Sequence, residues 1–329
     1  MSDISVRPFR PEDEPAVLEL LRASLGGGPT GQRSEAFFRW KHVHNPFGRS
    51  FMLVAESGGS VIGLRAFMRW RFEGEAGTVR AVRAVDTATH PDFQGRGVFS
   101  RLTREALSAL EGSADLVFNT PNEKSGPGYL KLGWRRVGRL PVSLRPRLRG
   151  LRPPAAGSGP PPTVGAPPAA EALADGDALH RLLEHQPDGR LRTPRDPEYL
   201  RWRYVDVPGL AYRAVPYEAG GRLRGLAIFR LRSRRRRWEC SLAEVLVGSG
   251  DRATAGRLLR AVAAACPRAA HVAALFPPRS TPAAAARRRS FVRIPLGPTL
   301  MVRLLAREIS PDPTARASWA LSLGDVEVF

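Results

Sequence analysis

Apolar and polar positions in the first 145 residues change period several times, and each change marks an element. Ile4–Phe9 reads as a strand. Arg10-Pro11-Glu12-Asp13 then opens a helix whose apolar face is Val17, Leu18, Leu21 and Leu25, broken by Gly26-Gly27-Gly28-Pro29. Ser34–His42 predicts a second, short helix carrying Phe37, Phe38 and Trp40. Phe51–Glu56 and Ser60–Phe72 are predicted strands joined by Ser57-Gly58-Gly59, a hairpin signal. Thr78–Thr89 follows as a strand rich in Val and Thr. Leu102, Ala106, Leu107 and Leu110 then recur at helical spacing, with Arg101, Arg104 and Glu105 on the other face. Asp115–Thr120 reads as a strand, Ser125–Leu132 as a short helix, and Trp134–Leu144 as a last strand. The order predicts a mixed α/β sheet, mostly antiparallel and flanked by helices.

Residues 146–170 are dominated by Pro, Gly and Ala and predict a linker, semi-stiff or disordered. Beyond it the first half recurs. Phe38-Arg39-Trp40-Lys41 returns as Leu200-Arg201-Trp202-Arg203, and Gly63-Leu64 as Gly225-Leu226, both at an offset of 162. Further on the offset is 157, with Pro121 against Pro278 and Trp134 against Phe291, so five residues are missing between about Val247 and Arg257. Four segments are expected: a first domain at 1–145, the linker at 146–170, a degenerate second copy at 171–310, and a docked tail at 311–329. The tail, SWALSLGDVEVF, has strand-like ends that predict docking on a sheet edge.

A chain of 329 residues with 43% hydrophobic composition can build two cores. It has no apolar run of eighteen residues, so no membrane span is expected. The charged start, MSDISVRPFRPEDEP, lacks an apolar signal region. Two cysteines, Cys240 and Cys266, offer neither a disulfide framework nor metal-ligand spacing, which predicts a reducing, cytoplasmic setting. The net charge of +20 would draw anionic ligands. It is carried almost wholly by arginine, since lysine occurs only at positions 41, 124 and 131. The run Arg232–Arg237 is read as a solvated hairpin tip rather than a nucleic-acid patch, because only Trp238 accompanies it. Ala283–Arg289 is read as helix surface.

The chemistry concentrates at Gln94-Gly95-Arg96-Gly97-Val98-Phe99, a loop between a strand and a helix. The first turn of a helix has backbone N–H groups without internal partners, and the helix dipole adds positive charge there. Such a junction suits a phosphate or pyrophosphate. Gly95 and Gly97 remove side chains that would hold an anion away, and Arg96 adds a cation. The loop is neither a P-loop nor a dinucleotide fingerprint.

The wider spacing resembles the GNAT-type N-acetyltransferase superfamily, whose acetyl-CoA loop reads Q/R-x-x-G-x-G/A after a strand. Gln94 and Gly97 match that pattern, and Phe99 departs from it by replacing the final small residue. The family's second pattern is an Asn, a Tyr seven residues on, then a Gly followed by an aromatic. Asn122, Tyr129, Gly133 and Trp134 fit. The resemblance covers roughly residues 3–145 and implies that acetyl-CoA is the co-substrate, with no metal. It places the pyrophosphate on Gln94, Gly95, Arg96, Gly97, Val98, Phe99 and Ser100. The pantetheine arm falls beside Thr87, Ala88 and Thr89, and Asn122 lies at the cofactor or at the strand–helix junction.

Tyr129 is the expected acid, because a phenol of reference pKa near 10 can protonate a leaving thiolate. Asp86 is the expected base if burial raises its pKa; Glu123, His42 and His44 are weaker candidates. His42, His44 and His90 are too dispersed to predict a metal site. The function expected is acetyl transfer from acetyl-CoA to a primary amine of a small molecule or sugar. The alternatives are a noncatalytic protein binding an anionic polymer on the same scaffold, or an acyl- or aminoacyl-transferase using another donor. The acceptor and the oligomeric state are left open.

Overall fold

The structure, a computed structural model, describes residues 4–26, 33–147, 161–184, 189–234 and 237–327. Most of the expected linker, 148–160, and the middle of the arginine run, 235–236, lie outside the described residues. The strands are β1 Ser5–Pro8, β2 Phe51–Ser57, β3 Ser60–Gly74, β4 Gly77–Thr89, β5 Leu116–Asn119, β6 Arg135–Arg139 and β7 Val142–Pro146. They continue as β8 Arg213–Ala219, β9 Arg222–Arg234, β10 Arg237–Val247, β11 His271–Ala274, β12 Val292–Ile294 and β13 Thr299–Leu304. The helices are α1 Glu14–Leu25, α2 Glu35–His42, α3 Val98–Leu110, α4 Gly126–Lys131 and α5 Ala169–Ala172. After them come α6 Gly176–Leu183, α7 Pro197–Tyr204, α8 Arg252–Ala265, α9 Thr281–Arg287 and α10 Leu323–Val326.

The chain forms two compact units, one of residues 1–138 with 299–316, the other of residues 139–298 with 317–328. The first holds a seven-stranded sheet in the order β1-β2-β3-β4-β5-β13-β6, the second a six-stranded sheet in the order β12-β7-β11-β10-β9-β8. Each sheet is mixed. The parallel pairs are β4–β5 and β10–β11, and the other recorded pairs, such as β3–β4 and β9–β10, are antiparallel.

In the first unit α3 covers one sheet face and α1 and α2 the other. Val98, Leu102, Ala106 and Leu110 pack with Leu53, Phe67 and Val117. Val17, Leu21 and Phe38 pack with Val54, Leu64 and Ala66. Each large apolar side chain fully buried here contributes about 1.5–3 kcal/mol relative to exposure. Leu64, Phe67 and Met68 are successive or near-successive residues of β3 with no exposed surface. A strand covered on both faces has no polar side to alternate with. In the second unit α8 plays the part of α3, packing Ala255, Leu258, Leu259 and Val262 on Ala227, Phe229 and Leu242. Cys240 and Cys266 are buried in that core.

Three expectations change. The single strand expected over Trp134–Leu144 is two strands in different sheets: β6 belongs to the first and β7 to the second, while β13 joins the first sheet beside β5. Pro141 separates β6 from β7 and has no N–H to continue a ladder. Residues 161–170, expected as linker, are ordered on the second unit, with Ala166 and Ala169 buried and Val164 N–H donating to the Ala265 carbonyl. The tail joins no sheet as a strand: it has a 3₁₀ turn at Arg316–Ser318, an isolated bridge from Trp319 to Leu191 and the short helix α10. Ser322 and Asp325 cap α10 reciprocally, and Trp319 is buried.

Among the described residues no helix is long and apolar enough to cross a membrane. None of their His, Cys, Asp and Glu side chains cluster in threes to hold a metal ion.

Candidate active site

The end of β4, the loop after it and the start of α3 enclose a cavity of about 390 Å³. Its wall includes Thr87, Ala88, Thr89, Gln94, Gly95 and Gly97, closed by Phe93, Val98 and Phe99 and by Ser24 and Leu25 of α1. A short 3₁₀ turn, Pro91–Phe93, leads into the loop. Gly95 and Gly97 both have φ of 77°, a left-handed conformation that a side chain disfavours by roughly 1–2 kcal/mol. No atom stands within 4 Å of where their Cβ atoms would lie, so the glycines are required by backbone conformation rather than by crowding.

Gly97 is the N-cap of α3 and has no side chain to cap it. The first-turn amides, those of Val98, Phe99 and Ser100, therefore lack the side-chain acceptor that Ser, Thr, Asn or Asp would supply. Residues 94–97 are exposed. Gln94 leans back, its Nε2 donating to the Thr89 carbonyl at 3.4 Å. Arg96 stacks over the Phe93 ring at 5.0 Å. The residues thus fit an anionic group with two phosphates: open amides, a helix dipole and a cation at the rim. The pantetheine positions Thr87, Ala88 and Thr89 line the same cavity.

Phe99 is accommodated by a glycine. Its ring meets Gly128 of α4, where an added Cβ would stand 3.3 Å from it, and it meets Tyr129 edge-on at 5.6 Å between centroids. The bulk gained in the loop is matched by bulk missing from α4.

Tyr129 is buried and packs on Trp134 at 5.0 Å. It is not among the cavity-lining residues; Phe99 is. Its hydroxyl accepts a hydrogen bond from Arg65 Nη1 at 2.9 Å. Arg65 Nη1 also donates to Thr87 Oγ1, so one guanidinium links the phenol to the cavity wall. Arg65 is completely buried, lies over the rings of Phe67, Tyr129 and Phe99, and has no partner for Nε or Nη2.

Asp86 departs from expectation. It sits at a bulge where β4 has one more residue than β3, between the pairs Leu64–Ala88 and Ala66–Val85, with φ of 39°. Its carboxylate meets Lys41 Nζ at 2.6 Å, His42 Nε2 at 3.0 Å and Arg33 Nη1 at 3.1 Å. Burial alone would raise its pKa, but the charge of Lys41 and the hydrogen bond from His42 hold it far below the usual carboxylate range. The expected upward shift is reversed, because these partners come from around α2, distant in sequence. His42 is pushed down by burial, against the pull of Asp86, and its Nδ1 lies 2.8 Å from Ser50 Oγ. Asp86, His42 and Ser50 therefore form a hydrogen-bonded chain.

Asn122 does not line the cavity. Its Oδ1 accepts from the Ser125 N–H at 2.9 Å and the Ser125 hydroxyl at 3.0 Å, closing the turn into α4. Glu123 and His44 are exposed, and Ser100 and Arg96 stand outside the cavity lining. Three residues that matter here escaped the sequence reading: Arg65, Lys41 and Ser50. Two had a signal. Arg65 is the one charge within the otherwise apolar run Val61–Met68, and Lys41 is a rare lysine within an aromatic helix.

Residues 5–137 match the family model described as "Acetyltransferase (GNAT) domain". Solved structures share the fold over most of the chain. The GCN5-related N-acetyltransferase from Anabaena variabilis is 14% identical, with 92% of this chain and 73% of that chain covered and a TM-score of 0.66. The GCN5-related N-acetyltransferase from Kribbella flavida is 17% identical over 92% and 71%, with a TM-score of 0.61. Eis1 from Mycobacterium abscessus is 14% identical over 92% and 74%, with a TM-score of 0.57. No curated protein gives a significant sequence match.

Proposed function

We propose that the chain is an N-acetyltransferase that moves an acetyl group from acetyl-CoA to a primary amine of a small molecule or sugar by direct attack. The observation that carries this reading is the cavity between the end of β4 and the uncapped start of α3. The amides of the Gly95–Ser100 turn would hold the pyrophosphate, and Thr87–Thr89 would flank the pantetheine arm. Acetyl-CoA supplies the activated thioester. Holding it beside the amine supplies much of the acceleration.

Tyr129 is the acid. Arg65 donates to the phenol oxygen, which leaves the phenol proton for another acceptor and stabilises negative charge on the oxygen. Asp86 is an anion that orients His42 rather than a base in its own right, because its charge is already shared among Lys41, His42 and Arg33. Proton acceptance falls to His42, reached through the Ser50 hydroxyl.

The second unit is read as a degenerate copy of the first. α2 and α7 are eight residues each and are offset by 162, with N-caps Ser34 and Asp196. The buried pair His42–Asp86 has a counterpart in Tyr204–Glu244, where the Tyr204 hydroxyl donates to Glu244 at 2.8 Å. Lys41 and Arg203, also 162 apart, are both buried. Where the first unit has Tyr129 the second has Ala286. The binding-protein alternative loses ground, since Arg232 of the basic run is paired with Glu239 and Glu327.

The test is a titration of the full chain with acetyl-CoA. At one hundred times Kd the expected stabilisation is about 2.7 kcal/mol. Release of free thiol with a panel of amines then identifies the acceptor. No thermal shift at millimolar acetyl-CoA would overturn the reading.

A further inference from the structure

One face of the second unit carries arginines without acids, and it owes nothing to acetyl transfer. The segment 171–251 has twelve acidic residues, whereas 139–170 and 252–298 have none. The second of these acid-free stretches still holds nine arginines. A uniform compositional bias would not empty two segments of acid and fill the one between them.

The fold brings the two acid-free segments together. β7 and β12 are antiparallel neighbours at one end of the second sheet, with Arg293 opposite Ser143. Arg145 is two residues along β7 from Ser143, so Arg145 and Arg293 share a face of the sheet. Arg145 reaches α8, its Nη1 lying 3.5 Å from the Leu259 carbonyl. Arg289 reaches the same helix, its Nε and Nη2 3.3 Å from where a Cβ on Gly256 would stand. α8 buries Ala255, Leu258, Leu259 and Val262 and leaves Arg252, Arg257 and Arg260 exposed. Those three arginines cover roughly 12 Å of the helix.

The charge on this face is not cancelled. Among the described residues, no carboxylate pairs with Arg145, Arg147, Arg260, Arg289 or Arg293. The neighbouring acid in sequence, Asp251, accepts from the Thr254 N–H at 2.9 Å and pairs with Arg224 at 3.8 Å. Residues 148–160, which follow Arg147, include two more arginines and no acid. Burial lowers the pKa of Arg145, and the charges of Arg147 and Arg289 lower it further. Like charges held together in this way repel one another, and a polyanion relieves the repulsion.

We propose that this face of the second unit binds the phosphodiester backbone of a double-stranded nucleic acid, with Arg145, Arg147, Arg260, Arg289 and Arg293 each taking a phosphate. Guanidinium forks suit phosphate oxygens bidentately. The exposed positions of α8 are arginine and alanine, so the helix offers no aromatic platform on which unpaired bases could stack. It also offers no large apolar side chain to enter a bilayer. Phosphate contacts carry no sequence information, so the duplex is held whatever its sequence.

The experiment is fluorescence anisotropy of the full chain with short labelled duplexes of DNA and of RNA, each in two unrelated sequences. A single strand and vesicles of phosphatidylcholine with phosphatidylserine are the comparison arms. At least one kind of duplex should bind, equally in both sequences, and which one binds identifies the polymer. Between about 50 and 200 mM salt, log K should fall with log salt at a slope of about −4.5, the value for five phosphates. Arg260→Gln combined with Arg289→Gln should weaken binding about tenfold or more at low salt and make the slope shallower by about 2. Arg260 is exposed on a helix and glutamine is a good helix former, while the slope of the unaltered chain needs no variant at all. Arg234→Gln combined with Arg237→Gln, which removes the same charge at the β9–β10 hairpin, should leave binding within about twofold, as contacts outside the face would. No binding of either duplex, binding that salt does not weaken, tighter binding of the single strand, binding of vesicles alone, or an equal loss in the hairpin pair would each overturn the proposal.

Discussion

Arg65 Nη1 stands 2.9 Å from the hydroxyl oxygen of Tyr129, and the whole arginine is out of contact with water. Two of its other donors, Nε and Nη2, have no partner. Burying unsatisfied donors is costly, so the arrangement is a poor device for stability. It is better explained as a device for the phenol. Arg65→Met should leave thermal stability within about 1 kcal/mol of the parent, because an apolar side chain of similar size replaces an incompletely bonded cation. Thiol release should nevertheless fall about a hundredfold in both Arg65→Met and Tyr129→Phe, the scale of general acid catalysis. Thermal shifts with acetyl-CoA should persist in both. Undiminished turnover in Tyr129→Phe would remove Tyr129 from the chemistry.

Asp86→Asn should act on folding. Asparagine tolerates the left-handed backbone at this position, so the change isolates the charge. Lys41, only 1% exposed, would lose the carboxylate 2.6 Å away. Removing one partner of a buried pair costs roughly 3–5 kcal/mol. Chemical denaturation of the variant reads this directly, and a loss under about 1 kcal/mol would mean that the cluster relaxes freely.

Gly97→Ala should weaken acetyl-CoA without unfolding the chain. The added methyl meets open space, and the penalty is confined to φ of 77°, about 1–2 kcal/mol. Relief of that strain turns the amides at the start of α3 away. The acetyl-CoA titration should show about a tenfold loss of affinity, in line with a penalty of that size.

Gly63→Ala and Gly225→Ala should destabilise their respective units alike. A Cβ on Gly63 would stand 2.8 Å from Val98 Cγ1 and 3.0 Å from Leu102 Cδ1. On Gly225 it would stand 2.7 Å from Thr254 Cγ2 and 3.0 Å from Leu258 Cδ1. Both helices must shift outward, at about 1–3 kcal/mol each. Equilibrium denaturation of the two variants checks the pair.

Acid should weaken the second unit through Glu239. Burial opposes ionisation of this carboxylate, but His271 at 2.8 Å and Arg232 draw its pKa from 4.5 down to about 2. The folded state thus binds fewer protons than the unfolded state between those values. The contribution is complete above about pH 5 and disappears as the pH falls toward 2; it is on the order of 3 kcal/mol. Glu239→Gln should flatten that part of the stability–pH curve.

The strands and helices of the first unit were legible because both faces of each element announce themselves locally. Ser34 stands before the apolar face of α2, and Gln94–Phe99 stands between a Val-rich strand and a helical repeat. The open helix start could be read from Gly97, since it has no side chain to cap with. Asp86 shows the opposite case. Its neighbours in sequence are apolar, which suggested a raised pKa. The residues that reverse the shift, Lys41 and His42, lie more than forty positions away.

By itself the sequence determined the backbone periods, the glycine turns, the internal offset of 162 and the GNAT-like loop, because each depends on residues within a few positions or on self-similarity. Only the tertiary structure decided which sheet received β7 and β13, which cations surround Asp86, and that Arg65 meets Tyr129. Strand alternation is the same whichever sheet a strand joins. The state of a charge depends on distances to groups that the chain brings together only when it folds.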